Sequence, residues 1–298
     1  MVTPTSVCAT SSVSTGWHVK VKLEQIKDNY LIMNALVKYF GGKGNMHNNI
    51  LAHFPKPEEY QTYIEPFGGS YAIGFHMNYI PPIEIYNDLY ENVYALYKVI
   101  ADKELFPKFK ELADTYPYSE QFRAEFRESL NDPNLSLLDR AFRFFYVNRS
   151  SHNGIGGMSV NMVVRRNMAK SVSDYLSAVD NLEQYHQRMS HMVIMHRDAV
   201  DLMDRYKDYT GVFMYCDPPY EWSTRGETRY AVDMDAEGQQ RFIDACLRSK
   251  ARLLISGYDC ERYNQLTDAG FKKIQFDVNT VSGNREKKVK VETLWKNY

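Results

Sequence analysis

The sequence has few cysteines, and they lie far apart. Its 298 residues include only four, and their spacing is not that of metal ligands. Reduced, buried thiols of a cytosolic protein are therefore expected rather than disulfides or a zinc site, and no metal is predicted. The four are Cys8, Cys216, Cys246 and Cys260.

Long apolar runs are missing as well. No segment approaches the roughly 20 apolar residues that cross a membrane. The first residues, MVTPTSVCATSSVSTG, are rich in Ser and Thr, and they lack the basic start and apolar core of a secretory signal. We therefore predict no contact with membranes, and we interpret residues 1–22 as a flexible tail that an expression vector could have supplied.

The chain also lacks an excess of charge of either sign. It has 36 Lys and Arg against 37 Asp and Glu, which gives a net charge of −1 at pH 7. A basic field over the whole surface is excluded, so any contact with nucleic acid must come from local patches. Aromatic residues are plentiful, with 23 Tyr and 15 Phe, and such rings pack in cores or stack on bases.

Alternating strands and helices occupy two separate parts of the chain. Residues 102–190 differ from these parts, because they are charged and aromatic and show helical periodicity only. We predict an α/β domain formed by residues 23–101 and 191–298, interrupted by a mostly helical lobe over 102–190. The predicted elements are a helix over Gln25–Phe40, strands at 83–86, 192–195, 212–216 and 252–256, helices at 90–100, 239–248 and 263–269, loop chemistry over 148–157, and a hairpin of 272–278 with 288–295.

The turn Asp217-Pro218-Pro219-Tyr220 follows the apolar strand Val212–Cys216. In an open α/β sheet, ligands bind at the carboxyl ends of strands. The prolines fix two φ angles and remove two N–H donors, so the main-chain carbonyls are rigid acceptors. A carboxylate and a carbonyl at one place suit an amino group, and Tyr220 suits the face of a flat ring. The alternative is a rigid turn with a capping Asp.

A glycine pair follows the apolar residues Tyr63-Ile64, within Glu65-Pro66-Phe67-Gly68-Gly69-Ser70. Glycines after a strand let the backbone approach a ligand closely. Asp88 follows the next strand about 20 residues later, where an acid suits ribose hydroxyls in nucleotide-binding folds. The alternative is an ordinary tight turn and a solvated Asp.

Three segments carry a resemblance to a known family. Asp217–Tyr220 matches the DPPY motif of amino-group DNA methyltransferases. Glu65–Gly69 resembles their cofactor loop, and Lys38-Tyr39-Phe40-Gly41-Gly42-Lys43 resembles their K-W-x-G-G-K box. The order of these motifs, from about Val37 to Trp295, resembles the Dam-like D12 class of N6-adenine methyltransferases. The resemblance implies a Rossmann-like S-adenosylmethionine-dependent methyltransferase sheet with an inserted, mostly helical DNA-recognition lobe. It also implies the cytoplasm of a bacterium or of a phage-infected host.

The resemblance implies S-adenosylmethionine as the cofactor. Lys43 would contact the carboxylate end of the cofactor, Asp88 would bind its ribose, and Asp198 would bind its adenine. For Asp198, the alternative is a solvated side chain without a ligand. The implied cofactor residues are Tyr39, Gly41, Gly42, Lys43, Glu65, Phe67, Gly68, Gly69, Ser70, Asp88, Asp198 and Asp217.

The same resemblance implies that an adenine leaves the DNA stack before it is methylated. Tyr220 would stack on this base, while the Asp217 carboxylate and the Pro218 carbonyl would accept hydrogen bonds from N6 and make it a better nucleophile. The implied catalytic residues are Asp217, Pro218, Pro219 and Tyr220.

Double-stranded DNA is the partner that the resemblance implies, and no obligatory protein partner is evident. Residues 145–149 with Asn153-Gly154 resemble the family's Y-x-N-R-x-x-x-N-G segment. Arg149 could instead brace its loop, and Arg165 and Arg166 could instead lie on a solvated face. The implied DNA-binding residues are Lys38, Asn148, Arg149, His152, Asn153, Ile155, Arg165, Arg166, Arg285 and Lys287.

Two departures from the family pattern concern function. Tyr71 stands where the cofactor loop usually has a further glycine, so a reshaped pocket is expected. Gly157 stands where GATC-specific members carry a base-reading arginine, so a target other than GATC is expected. The alternatives are a cytosine-N4 or RNA amino methyltransferase and a DNA-binding homologue without activity. Asp217 favours adenine, because N4 enzymes more often carry Ser there.

Overall fold

The computed structural model describes residues 32–39, 42–154, 156–158, 160–224, 231–281 and 287–298. A seven-stranded sheet forms its centre, in the order β5-β2-β1-β6-β7-β9-β8. The strands from β5 to β7 run parallel, and β9 and β8 continue the sheet antiparallel. The strands are β1 (Thr62–Glu65), β2 (Ile83–Asn87), β3 (Val164–Arg165), β4 (Met168–Ala169), β5 (Val193–Met195), β6 (Val212–Cys216), β7 (Arg252–Gly257), β8 (Lys272–Val281) and β9 (Lys287–Lys296).

Helices connect the parallel strands and cover the sheet, which confirms the predicted Rossmann-like α/β fold. None of the helices in the described ranges is both long and apolar enough to span a membrane. The helices are α1 (His47–Leu51), α2 (Ala72–His76), α3 (Glu91–Ala101), α4 (Leu105–Thr115), α5 (Glu120–Ser129), α6 (Leu137–Ser150), α7 (Lys170–Asp180), α8 (Leu182–Met189), α9 (Ala199–Tyr206), α10 (Ala236–Arg248) and α11 (Asn264–Asp268).

The strand β6 is buried along its whole length. It lies between β1 and β7, and helices cover both faces of a parallel sheet, so every one of its residues packs against a neighbour. This explains why its apolar run is continuous rather than alternating, and why its predicted bounds agree with the structure. The strand places Asp217 at the edge of the sheet where β1 and β2 also end.

Helices α4 to α8 form the inserted segment, together with the short hairpin of β3 and β4. Aromatic rings join it to the sheet: Phe109 contacts Phe145, and both belong to one core with Tyr97 of α3 and Phe213 of β6. The segment therefore shares its core with the sheet. The division of the chain into domains at 102 and 190 stays a prediction.

The helix predicted over Gln25–Phe40 is wrong for residues 32–39, which form no helix; residues 25–31 and 40 lie outside the described residues. The backbone here binds distant partners instead. The Met33 N–H donates to the Phe75 carbonyl (2.8 Å), and the Lys38 N–H donates to Asn148 Oδ1 (2.8 Å). The Asn148 Nδ2 group donates back to the Lys38 carbonyl (2.7 Å). These bonds satisfy groups that a helix would otherwise pair internally.

The helix α6 continues to Ser150, three residues into the segment 148–157 that was predicted as loop. The Lys38 ammonium explains this extension, because it donates to the carbonyls of Arg149 (3.2 Å) and Ser151 (2.9 Å). A cation at this end of a helix satisfies its last carbonyls and complements the helix dipole.

The Asn148 amide pairs with both backbone groups of Lys38 and is buried. We expect Asn148→Ala to lower the free energy of unfolding by about 1–3 kcal/mol, because a buried donor and acceptor lose their partners. Urea denaturation measures this change. Asn78→Ala, at an exposed asparagine, is the control and should stay within about 0.5 kcal/mol of the unsubstituted protein. Equal effects of the two substitutions would contradict the role given to Asn148.

Candidate active site

A cavity of about 520 Å³ lies at the carboxyl ends of β1, β2 and β6. It is bounded by the glycine loop after β1, the turn at Lys43 and the turn after β6. It brings together every described residue of the implied cofactor set, and Gly41 lies outside the described residues. Its lining comprises Tyr39, Gly42, Lys43, residues 65–70, Ala72, Ile73, Asp88, Leu89, residues 198–200, Tyr215, residues 217–219, Trp222, residues 232–235, Gly238 and Arg241.

The glycine loop is packed so tightly that its glycines cannot be replaced without displacement. A Cβ atom on Gly68 would lie 2.3 Å from the Tyr86 ring, and Gly69 has a left-handed φ of +47°. The Gly68 N–H donates to the Asn87 carbonyl (2.7 Å), and the Tyr86 hydroxyl donates to the Gly69 carbonyl (2.9 Å). The loop therefore has one defined path beside the cavity.

Asn87 joins the ends of three strands, although sequence reasoning gave it no role. Its Nδ2 group donates to the carbonyls of Pro66 (2.8 Å) and Arg197 (3.0 Å), and its Oδ1 accepts from the Arg197 N–H (2.9 Å). Pro66 follows β1, and Arg197 follows β5. An amide is suited to this place because it donates and accepts at once. The only sequence signal was its position directly before Asp88.

Asp88 is buried, and its carboxylate supports the glycine loop. It accepts from the N–H groups of Gly69 and Tyr90, both at 2.7 Å. Burial raises the pKa of Asp88 to about 6, and the two hydrogen bonds act in the opposite direction. Each oxygen keeps a further lone pair, so the carboxylate can also accept a hydrogen bond from a ligand in the cavity.

Tyr71 does not narrow the cavity, although it replaces a small residue of the family pattern. Its φ of 53° is left-handed, and its buried ring points away from the lining. Its hydroxyl donates to Glu84 Oε1 (2.6 Å), and both oxygens of Glu84 accept from the buried Arg188 guanidinium. The Tyr71 side chain thus packs in the core between β2 and α8, and the reshaped pocket expected from it stays a prediction.

Two further acids of the predicted cofactor set bind the backbone. Glu65 Oε1 accepts from the Gly74 N–H (2.8 Å) and from the Tyr63 hydroxyl (2.7 Å), and burial raises its pKa. Asp198 caps α9, accepting from the N–H groups of Val200 (2.9 Å) and Asp201 (3.1 Å). Both acids also line the cavity.

The described contacts of Asp217 both fall on its Oδ1 atom. The Ser256 hydroxyl donates to it at 2.8 Å, and the Lys43 ammonium lies 3.0 Å away. The Pro219 carbonyl accepts from Gln239 Nε2 (2.6 Å), so this carbonyl, expected as an outward acceptor, is used within the chain. Pro218 lines the cavity. The turn is therefore rigid, and one face of it borders the cavity.

Tyr220 lies behind this turn and is only 6% exposed. Its hydroxyl contacts the Lys43 ammonium and Glu292, a buried acid on β9. Lys43 Nζ is 3.3 Å from Glu292 Oε1 as well as close to Asp217. The Lys43 ammonium is thus held by protein carboxylates, and its contact with a cofactor carboxylate stays a prediction. Sequence reasoning missed Glu292, whose one signal was an acid within a buried strand.

The predicted DNA-binding residues fall into two groups. Asn148 and Arg149 bind the backbone of residues 36–38, since Arg149 donates to the carbonyls of Leu36 (3.5 Å) and Asp174 (3.3 Å). Their placement favours the bracing role over DNA contact, and Lys38 caps α6. His152, Arg165 and Arg166 are exposed, and Arg165 pairs with Asp174 (2.8 Å). Ile155, Arg285 and the side chains of Asn153 and Lys287 lie outside the described residues.

A parallel sheet with a glycine loop facing an Asp-Pro-Pro-Tyr turn is the arrangement of Rossmann-like methyltransferases. The D12 class N6 adenine-specific DNA methyltransferase family matches residues 39–282, and the chain belongs to this family. The predicted family is thereby confirmed, and the protein is an adenine-specific DNA methyltransferase.

Similar proteins carry names of the same kind. A DNA adenine methylase of Escherichia coli (strain K12) is 25% identical over 280 residues, covering 88% of this chain and 95% of that protein. A type II methyltransferase, M.CviBI, of Paramecium bursaria Chlorella virus NC1A is 24% identical over 195 residues, covering 63% and 70%. A type II methyltransferase, M1.LlaDCHI, of Lactococcus lactis subsp. cremoris is 24% identical over 213 residues, covering 65% and 68%.

The contact between Gly68 and Tyr86 gives a direct test of the glycine loop. We expect Gly68→Ala to weaken binding of S-adenosylmethionine roughly tenfold or more, because overpacking costs about 1–3 kcal/mol and must displace the loop. Isothermal titration calorimetry measures the affinity. Gly44→Ala, in the neighbouring turn where a Cβ meets nothing within 4 Å, is the matched control and should bind normally. Normal binding by both variants would mean that the loop does not contact the cofactor.

The raised pKa of Asp88 predicts a pH dependence of cofactor affinity. The ionised carboxylate is the stronger acceptor for a ribose hydroxyl, so affinity should be highest well above pH 6 and should fall as the pH drops through about 6. Asp88→Asn should bind more weakly and show no such fall. Titrations between pH 5 and 8 measure both effects, with Asp268→Asn, at an exposed acid of α11, as the control. A flat profile for the unsubstituted protein would exclude this role of Asp88.

Proposed function

We propose that the protein transfers the methyl group of S-adenosylmethionine to N6 of an adenine extruded from double-stranded DNA, at a sequence other than GATC. The observation that carries the proposal is the convergence of Lys43, the glycine loop and the Asp217 turn on one cavity. We place this activity on DNA in the cytoplasm of a bacterium or a phage-infected cell.

The residues around the cavity fit S-adenosylmethionine. A volume of about 520 Å³ is in the range of cofactor pockets, which is about 300–1,000 Å³. Asp88 can accept from ribose hydroxyls, Phe67 offers an apolar surface, and Asp198 can accept from the amino group of the cofactor's adenine. When bound, the cofactor supplies an electrophilic methyl group on a sulfonium.

Asp217 and Pro218 suit an amino group that attacks this methyl group. The Asp217 carboxylate and the Pro218 carbonyl accept hydrogen bonds from N6, which draws its lone pair out of conjugation with the purine ring. The bound cofactor would supply the methyl group: the carbon–sulfur bond would break with its electron pair going to sulfur as N6 bonds to the carbon, and the proton that N6 loses would pass to water. Holding the two reacting atoms in line supplies most of the acceleration.

The hairpin of β3 and β4 suits the duplex. It carries Arg165 and Arg166, and the exposed apolar residues before it include Met162, which is 90% exposed. Proteins that bend DNA insert apolar side chains between base steps and use Arg on phosphates. Gly157 is exposed and has no side chain to read guanine, where an arginine would contribute about 1–3 kcal/mol of discrimination. This supports a target other than GATC.

Incubation of the protein with labelled S-adenosylmethionine and DNA tests the reaction. We expect label on N6 of adenine after digestion to nucleosides. Sequencing of DNA from an expressing host without its own adenine methylation should place the modified adenine outside GATC. Label on cytosine, or no transfer at all, would refute the proposal, and modification at GATC alone would refute its target.

Asp217→Ala tests the assigned acceptor. We expect transfer to fall by roughly 100- to 1,000-fold, because a preorganised polar partner of the reacting group is lost. DNA affinity, measured by fluorescence anisotropy, should persist. Asp268→Asn removes an exposed carboxylate remote from the cavity and should leave transfer unchanged. Near-normal transfer by Asp217→Ala would rule out the role given to this carboxylate.

A further inference from the structure

Glu292 occupies a strand position at which an apolar residue is the rule. Its neighbours Leu294 and Trp295 are fully buried, and Glu292 itself is only 2% exposed. A buried acid is almost never found without a partner. β9 pairs with β7 up to the Thr293–Gly257 pair, so Glu292 lies just beyond the carboxyl end of β7, at the sheet edge that bears the active site.

The Glu292 carboxylate belongs to a closed cluster of polar groups. Its Oε1 accepts from the Tyr220 hydroxyl and lies 3.3 Å from Lys43 Nζ. Lys43 also contacts the Tyr220 hydroxyl and lies 3.0 Å from Asp217 Oδ1. Burial raises the pKa of Glu292, and the Lys43 ammonium and the Tyr220 hydroxyl act against this rise. One ammonium, two carboxylates and a phenol thus fix one another.

This cluster fixes the orientation of the Tyr220 ring plane. Tyr258 packs against the ring in a T-shaped arrangement, with centroids 4.7 Å apart and planes at 73°, and the hydroxyl is anchored by Glu292 and Lys43. An aromatic ring that is held by a neighbouring ring and at its hydroxyl has a defined plane. A base can stack on such a ring without the cost of ordering it first.

We propose that Glu292 is a positioning residue for methyl transfer. By binding the Tyr220 hydroxyl and Lys43, it holds the Tyr220 ring in the plane on which the target base stacks and holds Lys43 against Asp217. Neither Glu292 nor Tyr220 is among the cavity-lining residues, whereas Lys43 is, so Glu292 reaches the cavity through Lys43. The inference rests on the proposed adenine transfer and adds to it a residue that the catalytic motif does not contain.

Glu292→Gln, Tyr220→Phe and the double variant test this role. Gln keeps the size of the side chain but loses its charge, and Phe keeps the ring but loses the hydroxyl. We expect Glu292→Gln to lower the single-turnover rate of methyl transfer about 100-fold, since a small misplacement of a reacting group has effects of this size. Affinity for S-adenosylmethionine should change far less than the rate, because Glu292 itself lies outside the cavity. In the Tyr220→Phe background, the effect of Glu292→Gln should be much smaller.

Two controls separate positioning from folding. Urea unfolding of each variant shows whether the protein remains folded, and Glu128→Gln removes an exposed carboxylate of α5 and should leave the rate unchanged. Three outcomes would each overturn the role of Glu292. The first is a normal rate for Glu292→Gln, and the second is a rate loss that follows a loss of cofactor affinity. The third is a double variant whose rate loss equals the product of the two single losses. An unsubstituted protein that forms no N6-methyladenine would refute the proposed function itself, together with the role that rests on it.

Discussion

The buried ammonium of Lys43 is the contact on which the active site depends. It lies 3.3 Å from Glu292 and 3.0 Å from Asp217. Asp217 follows β6 and Glu292 lies in β9, and β7 separates these two strands in the sheet. Taking these charges out of water is costly, and the cost is offset only when the partners are close and hydrogen-bonded. Folding must therefore bring three parts of the chain to one point: the segment of Lys43, the turn after β6 and the strand β9. This requirement fixes the geometry of the turn at Asp217.

The position of the cavity follows from the order of the strands. β1 has β2 on one side and β6 on the other, so the chain leaves β1 in one direction and returns on the opposite side. The loops after β1 and β6 consequently separate, and ligands of open α/β sheets bind in the crevice between such loops. Asn87 holds the loops on the β2 side together, since it binds the backbone that follows β1 and β5.

Strands and turns that depend on their own residue types were predicted well from the sequence. The bounds of β6 agreed because a central parallel strand is apolar throughout, and the Asp217 turn and glycine loop were placed by their own residue types. Residues 32–39 were predicted wrongly, because their apolar spacing suits a helix while Asn148, more than 100 positions later, binds their backbone. Glu292 and Asn87 were missed for the same reason. Their roles come from partners that only the folded chain brings near.

The buried pair of Arg188 and Glu84 joins the inserted helices to Tyr71, which directly follows the glycine loop. Removing one member of such a pair leaves an unpaired buried charge, which costs about 3–5 kcal/mol. Substitution of Arg188 or Glu84 alone is therefore expected to be more costly than substitution of both together. In the hairpin of β3 and β4, by contrast, Arg165 pairs with Asp174 at the surface, and a surface pair contributes little to stability. Substitutions are therefore tolerated more easily in the hairpin than in the buried pair that supports the inserted helices.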